Sequence, residues 1–211
     1  VCLLLLVFVV LGRFTVGRQA LLAVDVALAS GPWATPSTPA PHNPLDSDPL
    51  IAGFAHTLPA AESLRAGRGA PRWDPGLGTG EGVALSGLVA PDYPPWRLAY
   101  RLLPAWIAHG TTVVLHLYLG LVGVFLLVRS RGNSAPAGIV AALVAGLTGL
   151  PSVWLEQDTC TIALSWVPWV LLGIELAVAG DRRGVALAGL ALGASLLCAL
   201  HLFGGTCGLM A

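Results

Sequence analysis

The sequence of 211 residues contains no lysine, and charged residues of all kinds make up only 10% of it. Soluble domains carry roughly 25% charged residues, so this composition argues against a soluble globular domain and against a disordered chain. Without lysine there is neither a standard phosphate-binding loop nor a Schiff-base enzyme. Eleven arginines balance eleven acidic residues. Because zero net charge gives no basic field, we expect no nucleic-acid partner.

Cysteine is also scarce, with four residues that lie far apart: Cys2, Cys160, Cys198 and Cys207. Their spacing matches neither a zinc site nor a disulfide framework. We therefore assign most of them to apolar packing.

What the sequence does contain is apolar residues, which make up 55% of the chain and gather in long runs. A helix that crosses roughly 30 Å of hydrocarbon needs about 20 such residues. We expect an all-α integral membrane protein, a polytopic helix bundle whose spans are residues 1–12, 107–128, 136–153, 162–179 and 184–203. The first run could also be a signal-peptide core, but no small-residue cleavage site follows it. Because apolar runs meet both ends of the chain, we interpret residues 1–211 as one truncated transmembrane domain.

The arginines of the short loops predict the orientation of the bundle, because such loops usually face the cytoplasm. They follow the second and fourth spans, at Arg129, Arg131, Arg182 and Arg183. The loop between the third and fourth spans contains Glu156 and Asp158 and no arginine, so we expect it outside. By parity, residues 13–106 form a long outer loop, although Arg13 and Arg18 fit this orientation poorly. Several glycines suit close helix packing in lipid: Gly138, Gly146, Gly149, Gly189 and Gly193.

The outer loop begins with a proline-rich stretch, residues 31–49, that should be extended. An amphipathic helix is expected over residues 50–67, where Leu50, Phe54, Leu58, Ala61 and Leu64 recur at helical spacing. Such a helix could rest on the membrane surface. Tyr93 and Trp96 near the end of the loop suit an interfacial aromatic belt.

Five short sequence motifs occur one after another along the chain. They are Ser47-Asp48-Pro49, Arg65-Ala66-Gly67, Pro71-Arg72-Trp73-Asp74-Pro75, Tyr93-Pro94-Pro95, and Trp166-Val167-Pro168-Trp169 before Leu171 to Glu175. In this order the chain resembles the bacterial YfhO family of polytopic membrane proteins, over nearly its whole length.

The resemblance implies a GT-C-like fold and a membrane glycosyltransferase. Such an enzyme takes a sugar from a polyprenyl-phosphate carrier and acts on the outer face of the bacterial cytoplasmic membrane. Its first outer loop typically carries an acidic residue essential to catalysis. By position that residue is Asp48, with Asp46 as the second choice.

The residues also suit this chemistry. A carboxylate such as Asp48 can deprotonate an acceptor hydroxyl or stabilise oxocarbenium-like charge, and Glu156 and Asp158 could complete an acidic site. The leaving phosphate needs a cation, for which Arg65, Arg68 and Arg72 are available, and Trp73 could pack on a sugar. A divalent cation held by Asp46, Asp48 and His42 is conceivable.

Other interpretations stay open. Asp46 and Asp48 could serve a turn or a helix cap. His109, His116 and His201 suit hydrogen bonds between helices, and Glu175 could pair with Arg182 or Arg183. A transporter or flippase of a lipid-linked substrate, or a non-catalytic membrane assembly factor, are the alternative functions.

Overall fold

The computed structural model describes residues 2–30, 32, 34–42, 50, 54–69, 71, 73, 93–147, 155, 156 and 158–198. Within these residues the regular structure is entirely helical, as expected. The helices are α1 (Cys2–Thr15), α2 (Val24–Ser30), α3 (Ala55–Arg65), α4 (Pro94–Leu102), α5 (Ala105–Ser130), α6 (Ala135–Leu147), α7 (Asp158–Ser165), α8 (Val167–Val178) and α9 (Arg182–Cys198).

Two helical segments are long and apolar enough to cross a membrane. One is α5, with 26 residues, and the other is α7 together with α8, 21 residues from Asp158 to Val178. The helices α1 and α6 are apolar but shorter. The described residues therefore form an all-helical structure with two such segments, whereas a bundle of five membrane crossings remains a prediction.

The second long segment is interrupted at Trp166, between α7 and α8. The cause is Pro168 in the first turn of α8, which has no N–H to donate to the preceding turn. Trp166 instead donates its N–H to the carbonyl of Ala163, at 3.2 Å, in a tighter turn. The side chain of Trp166 donates from Nε1 to the Tyr93 hydroxyl at 3.0 Å.

Glycines set the distances between the packed helices. A Cβ atom on Gly110 would lie 2.9 Å from the carbonyl oxygen of Phe14, which shows how closely α5 approaches α1. Gly138 and Gly146 pack tightly against α5, as expected. Gly189 and Gly193 do not, since no described atom lies within 4 Å of a Cβ placed on them. Gly149 lies outside the described residues.

One end of the bundle, the arginine end, carries Arg129, Arg131, Arg182 and Arg183. There the carboxylate of Glu175 accepts a hydrogen bond from Arg131 Nε at 2.6 Å and another from Ser130 Oγ at 3.1 Å. The expected pairing of Glu175 with Arg182 or Arg183 is thus replaced by a pairing across helices. The reason is that α8 lies beside α5 and both helices end together.

The amphipathic helix of the outer loop is present as α3, and three of its five expected apolar residues, Phe54, Ala61 and Leu64, lie in or against the buried core. Ala60, Ala61 and Leu64 pack against α4, while Leu58 is exposed. Small alanines allow the close approach, and Leu58 lies on the other side of the helix. The outer loop also contains α2 and α4.

The aromatic residues of α4 are not at the surface. Trp96 and Tyr100 are stacked, with ring centroids 4.1 Å apart, and both are fully buried, as is Tyr93. The expected interfacial belt at Tyr93 and Trp96 is therefore wrong for this structure. Their rings fill the space between α3, α5 and α7 instead.

Candidate functional site

A polar pocket opens at the end of the bundle opposite the arginine end. Its volume is about 560 Å³, and it lies between the end of α1, the start of α2 and the residues that precede α7. Its polar lining consists of Arg13, Gln19, Asp25, His42 and Glu156, with Ala20, Leu22, Ala23 and Val24 as the apolar part. The pocket thus brings together two carboxylates, an imidazole and a guanidinium from distant parts of the sequence.

Asp25 is the most firmly placed acid in this pocket. It lies in the first turn of α2, where its Oδ1 accepts the N–H of Val26 at 3.0 Å. Its Oδ2 accepts the backbone N–H of His42 at 2.8 Å and His42 Nδ1 at 3.0 Å. The His42 backbone N–H is the main cause that lowers the pKa of Asp25, and the His42 side chain adds to it. Asp25 is therefore ionised at neutral pH.

His42 gains a defined orientation from this contact. Because a carboxylate only accepts, Nδ1 of His42 carries the hydrogen, and Nε2 of the neutral ring is an acceptor. The His42 side chain is 98% exposed. Its outer nitrogen is thus presented to a ligand or to water at the mouth of the pocket.

The other two charged groups come from the edges of candidate spans. Arg13 lies in the last turn of α1, with its guanidinium carbon 4.9 Å from the centre of the Phe14 ring. Glu156 belongs to the connection between α6 and α7. Both enter the pocket from the level at which helices of the bundle end.

A buried polar layer lies next to the pocket and is centred on His109 of α5. Nε2 of His109 is 3.3 Å from the carbonyl oxygen of Glu156, so this nitrogen carries a hydrogen and donates it. Nδ1 lies between two groups, the Tyr100 hydroxyl at 3.4 Å and Asp158 Oδ2 at 3.6 Å. Because Nε2 carries the hydrogen, Nδ1 accepts a hydrogen bond from the Tyr100 hydroxyl.

A second histidine, two helical turns further along α5, has a similar setting. Nδ1 of His116 donates to the carbonyl of Thr112 at 2.7 Å, which leaves Nε2 as the acceptor for the Tyr93 hydroxyl at 2.8 Å. The same hydroxyl accepts Trp166 Nε1–H at 3.0 Å. His109 and His116 therefore connect helices by hydrogen bonds, the role expected for them; His201 lies outside the described residues.

Burial keeps both tyrosines of this layer protonated. It is the main cause that raises the pKa of Tyr93 and of Tyr100, and the charge of Asp158 adds to the effect at Tyr100. Both hydroxyls thus act as neutral donors over the physiological pH range. The layer is a set of fixed donors and acceptors beneath the pocket.

The residues predicted from the sequence fall into three groups. Asp46, Asp48 and Arg72 lie outside the described residues. Arg65 is engaged with the end of α4, donating from Nε to the carbonyl of Tyr100 at 3.2 Å and from Nη2 to that of Leu103. Arg68 and Trp73 are exposed and do not line the pocket.

The two acids that the sequence grouped together are separated. Glu156 lines the pocket, whereas Asp158 is buried in the layer below, where its Oδ1 accepts the backbone N–H of Thr159 at 2.8 Å. Asp158 is thus both the first residue of α7 and the partner of His109. The predicted acidic site receives only Glu156 from this pair.

The divalent cation remains a prediction. In the part of the chain that the structure describes, no three His, Cys, Asp or Glu side chains lie close enough to hold a metal ion. His42, one of the three expected ligands, is bound to Asp25. Asp46 and Asp48 are outside the described residues.

Three polar residues of the pocket, Arg13, Gln19 and Asp25, were not among the candidates from the sequence, and Asp25 is the acid among them. It stands in a run of apolar residues whose helix, α2, is only 7 residues long. The available signal was its position, since it is the first acidic residue after the first apolar segment.

No protein-family model matches the chain, and comparisons with curated proteins and with solved structures find no match either.

Proposed function

We propose that this chain is part of a GT-C-type membrane glycosyltransferase of the YfhO family. It would transfer a sugar from a polyprenyl-phosphate carrier to a cell-envelope acceptor, on the outer face of the bacterial cytoplasmic membrane. The observation that supports this most is the pocket formed by Arg13, Asp25, His42 and Glu156. It has the charges that such a reaction needs, and it lies opposite the arginine end, which the positive-inside rule assigns to the cytoplasm.

Asp25 has the properties of the carboxylate in this reaction. It is ionised at neutral pH, partly exposed, and held in place by the N–H groups of Val26 and His42. A carboxylate in that state accepts a proton from an acceptor hydroxyl or stabilises positive charge on the sugar. The first-outer-loop acid that the resemblance implies would then be Asp25, with Asp48 and Asp46 as the alternatives.

Arg13 supplies the opposite charge. A guanidinium forms strong, directional hydrogen bonds with phosphate oxygens and stabilises the negative charge of a leaving phosphate. Its place at the end of an apolar helix corresponds to the headgroup level of a bilayer, where a lipid-linked phosphate lies. This also explains an arginine on the outer side, which the orientation rule alone does not.

A proton-coupled transporter of a lipid-linked substrate is the second candidate. It is favoured by the buried pair of His109 and Asp158, whose side chains are 4% and 6% exposed. Ionisable residues inside a membrane bundle often mark a proton or substrate pathway. A transporter would move the lipid-linked sugar without breaking the bond between sugar and phosphate.

Sugar transfer by Asp25→Asn distinguishes these functions. The assay uses the complete protein in membranes, radiolabelled polyprenyl-phosphate sugars as donors, and detection of sugar on any acceptor. Loss of the carboxylate should lower transfer by roughly 100- to 10,000-fold.

The matched control is Asp181→Asn. Asp181 precedes α9 and, like Asp25, accepts a backbone N–H near the start of a helix, that of Arg183 at 2.9 Å, but it lies at the arginine end. The Asp181→Asn variant should transfer sugar at the wild-type rate. Equal rates in Asp25→Asn and wild type would remove Asp25 from the reaction and favour Asp48. Sugar movement without bond cleavage would support the transporter.

A further inference from the structure

The buried layer beneath the pocket contains groups that the proposed reaction does not use. His109 is the central one, because it joins four parts of the chain. Its Nε2 bonds the carbonyl of Glu156, its Nδ1 faces Tyr100 and Asp158, and the edge of its ring meets Phe54 with ring centroids 5.9 Å apart. The imidazole is therefore fixed from several sides.

We propose that His109 is a positioning residue, which holds the backbone of Glu156 so that the Glu156 carboxylate faces the polar pocket. This inference rests on the proposed function, since it gives Glu156 a part in the same site. The Glu156 carbonyl accepts the imidazole N–H, and Glu156 is also one of the residues that line the pocket. One peptide unit thus connects the buried layer to the site.

The Tyr100 hydroxyl supports the imidazole in this role, because it donates to Nδ1, the nitrogen that carries no hydrogen, at 3.4 Å. Asp158 lies beside this pair. It follows Glu156 by two residues and its Oδ2 lies 3.6 Å from Nδ1 of His109. Its other oxygen is held by the Thr159 N–H at 2.8 Å, which fixes the carboxylate to the start of α7. The second nitrogen of an imidazole sets the orientation of the first, as it does in catalytic and metal-binding histidines.

Substitution of His109 by asparagine or by glutamine tests the contributions of its two ring nitrogens separately. The amide nitrogen of glutamine reaches the place of Nε2, whereas that of asparagine reaches only the place of Nδ1. His109→Gln therefore keeps the bond to the Glu156 carbonyl, and His109→Asn loses it. Both variants stay polar and avoid a large change of volume, so both should fold.

Hydrogen–deuterium exchange on the complete protein in nanodiscs measures the outcome without any substrate. The peptide that covers residues 155–160 should exchange about tenfold faster in His109→Asn, as expected when one buried hydrogen bond is lost. In His109→Gln it should stay close to the wild-type rate. His116→Asn is the control, because His116 is equally buried on α5 but bonds Tyr93 instead of Glu156. Equal exchange in the two His109 variants, or an equal rise in His116→Asn, would overturn the proposal.

Kinetics then connect the positioning to the reaction. His109→Asn should lower kcat for sugar transfer with little change in KM for the lipid donor, and His109→Gln should restore it. If the wild type transfers no sugar from any donor, the proposed function fails while the exchange experiment still decides the positioning. If transfer occurs and His109→Asn leaves kcat unchanged, the positioning of Glu156 is refuted and the proposed function stands.

Discussion

The contact between α8 and α9 gives a prediction whose size follows directly from the structure. A Cβ atom placed on Gly173 would lie 2.5 Å from the backbone nitrogen of Ala188 and 2.8 Å from its Cα. Carbon atoms in ordinary contact are about 3.5–4.0 Å apart. Backbone atoms cannot rotate away, so Gly173→Ala must separate the two helices by about 1 Å.

The change in the free energy of unfolding for Gly173→Ala has an unfavourable and a favourable part. Overpacking of this kind costs typically about 1–3 kcal/mol. Alanine regains about 0.5–1 kcal/mol over glycine inside a helix. The net loss of stability should therefore be at most about 2.5 kcal/mol, which lowers Tm by up to about 10 °C for a chain of this length.

Thermal unfolding of the purified protein in detergent, followed by circular dichroism, measures this shift. Gly189→Ala is the matched control in the same pair of helices, since no described atom lies within 4 Å of its added Cβ. It should leave Tm unchanged or raise it. A Gly173→Ala variant with a Tm equal to or above that of Gly189→Ala would refute the close packing of α8 on α9.

Two further predictions concern the polar groups. His42→Ala should raise the pKa of Asp25 but leave it below the ordinary value of 3.8, because the backbone N–H of residue 42 is the larger cause of the lowering. The hydrogen bonds to the Asp25 carboxylate stabilise the fold fully above pH 3.8. This stability is lost as the pH falls through the lowered pKa of Asp25. A carboxyl NMR titration that places the pKa at 3.8 or higher would contradict this. Tyr93→Phe removes the donor to His116 and the acceptor of Trp166. It should cost about 1–3 kcal/mol in chemical unfolding, and an unchanged stability would show that these bonds are not formed.

The helices of the bundle could be predicted because each is a run of apolar residues with clear ends. The expected span 107–128 corresponds to α5, Ala105–Ser130, and a positively charged loop follows it. The expected span 162–179 begins earlier in the structure, at Asp158, because its carboxylate accepts the Thr159 N–H and so starts α7. The all-helical fold needs only this local information.

The site could not be predicted in the same way, because it depends on which distant segments meet. Asp25 and Glu156 are 131 positions apart in the sequence, and only the tertiary packing of the chain places them in one pocket. Arg65 had a suitable charge for a phosphate, but the free carbonyls at the end of α4 bind it. Trp96 matched an interfacial pattern, yet the packing of α3 on α4 buries it.

The proposed function requires that lipid-linked phosphate binds at the polar pocket and not at the arginine end. A photoreactive, radiolabelled polyprenyl-phosphate in vesicles that contain the complete protein tests this, with the crosslinked peptides identified by mass spectrometry. We expect crosslinks to residues 13–25 and to the peptide that contains Glu156. These crosslinks should disappear when unlabelled polyprenyl-phosphate is added. Crosslinks confined to residues 129–131 and 181–183 would contradict it.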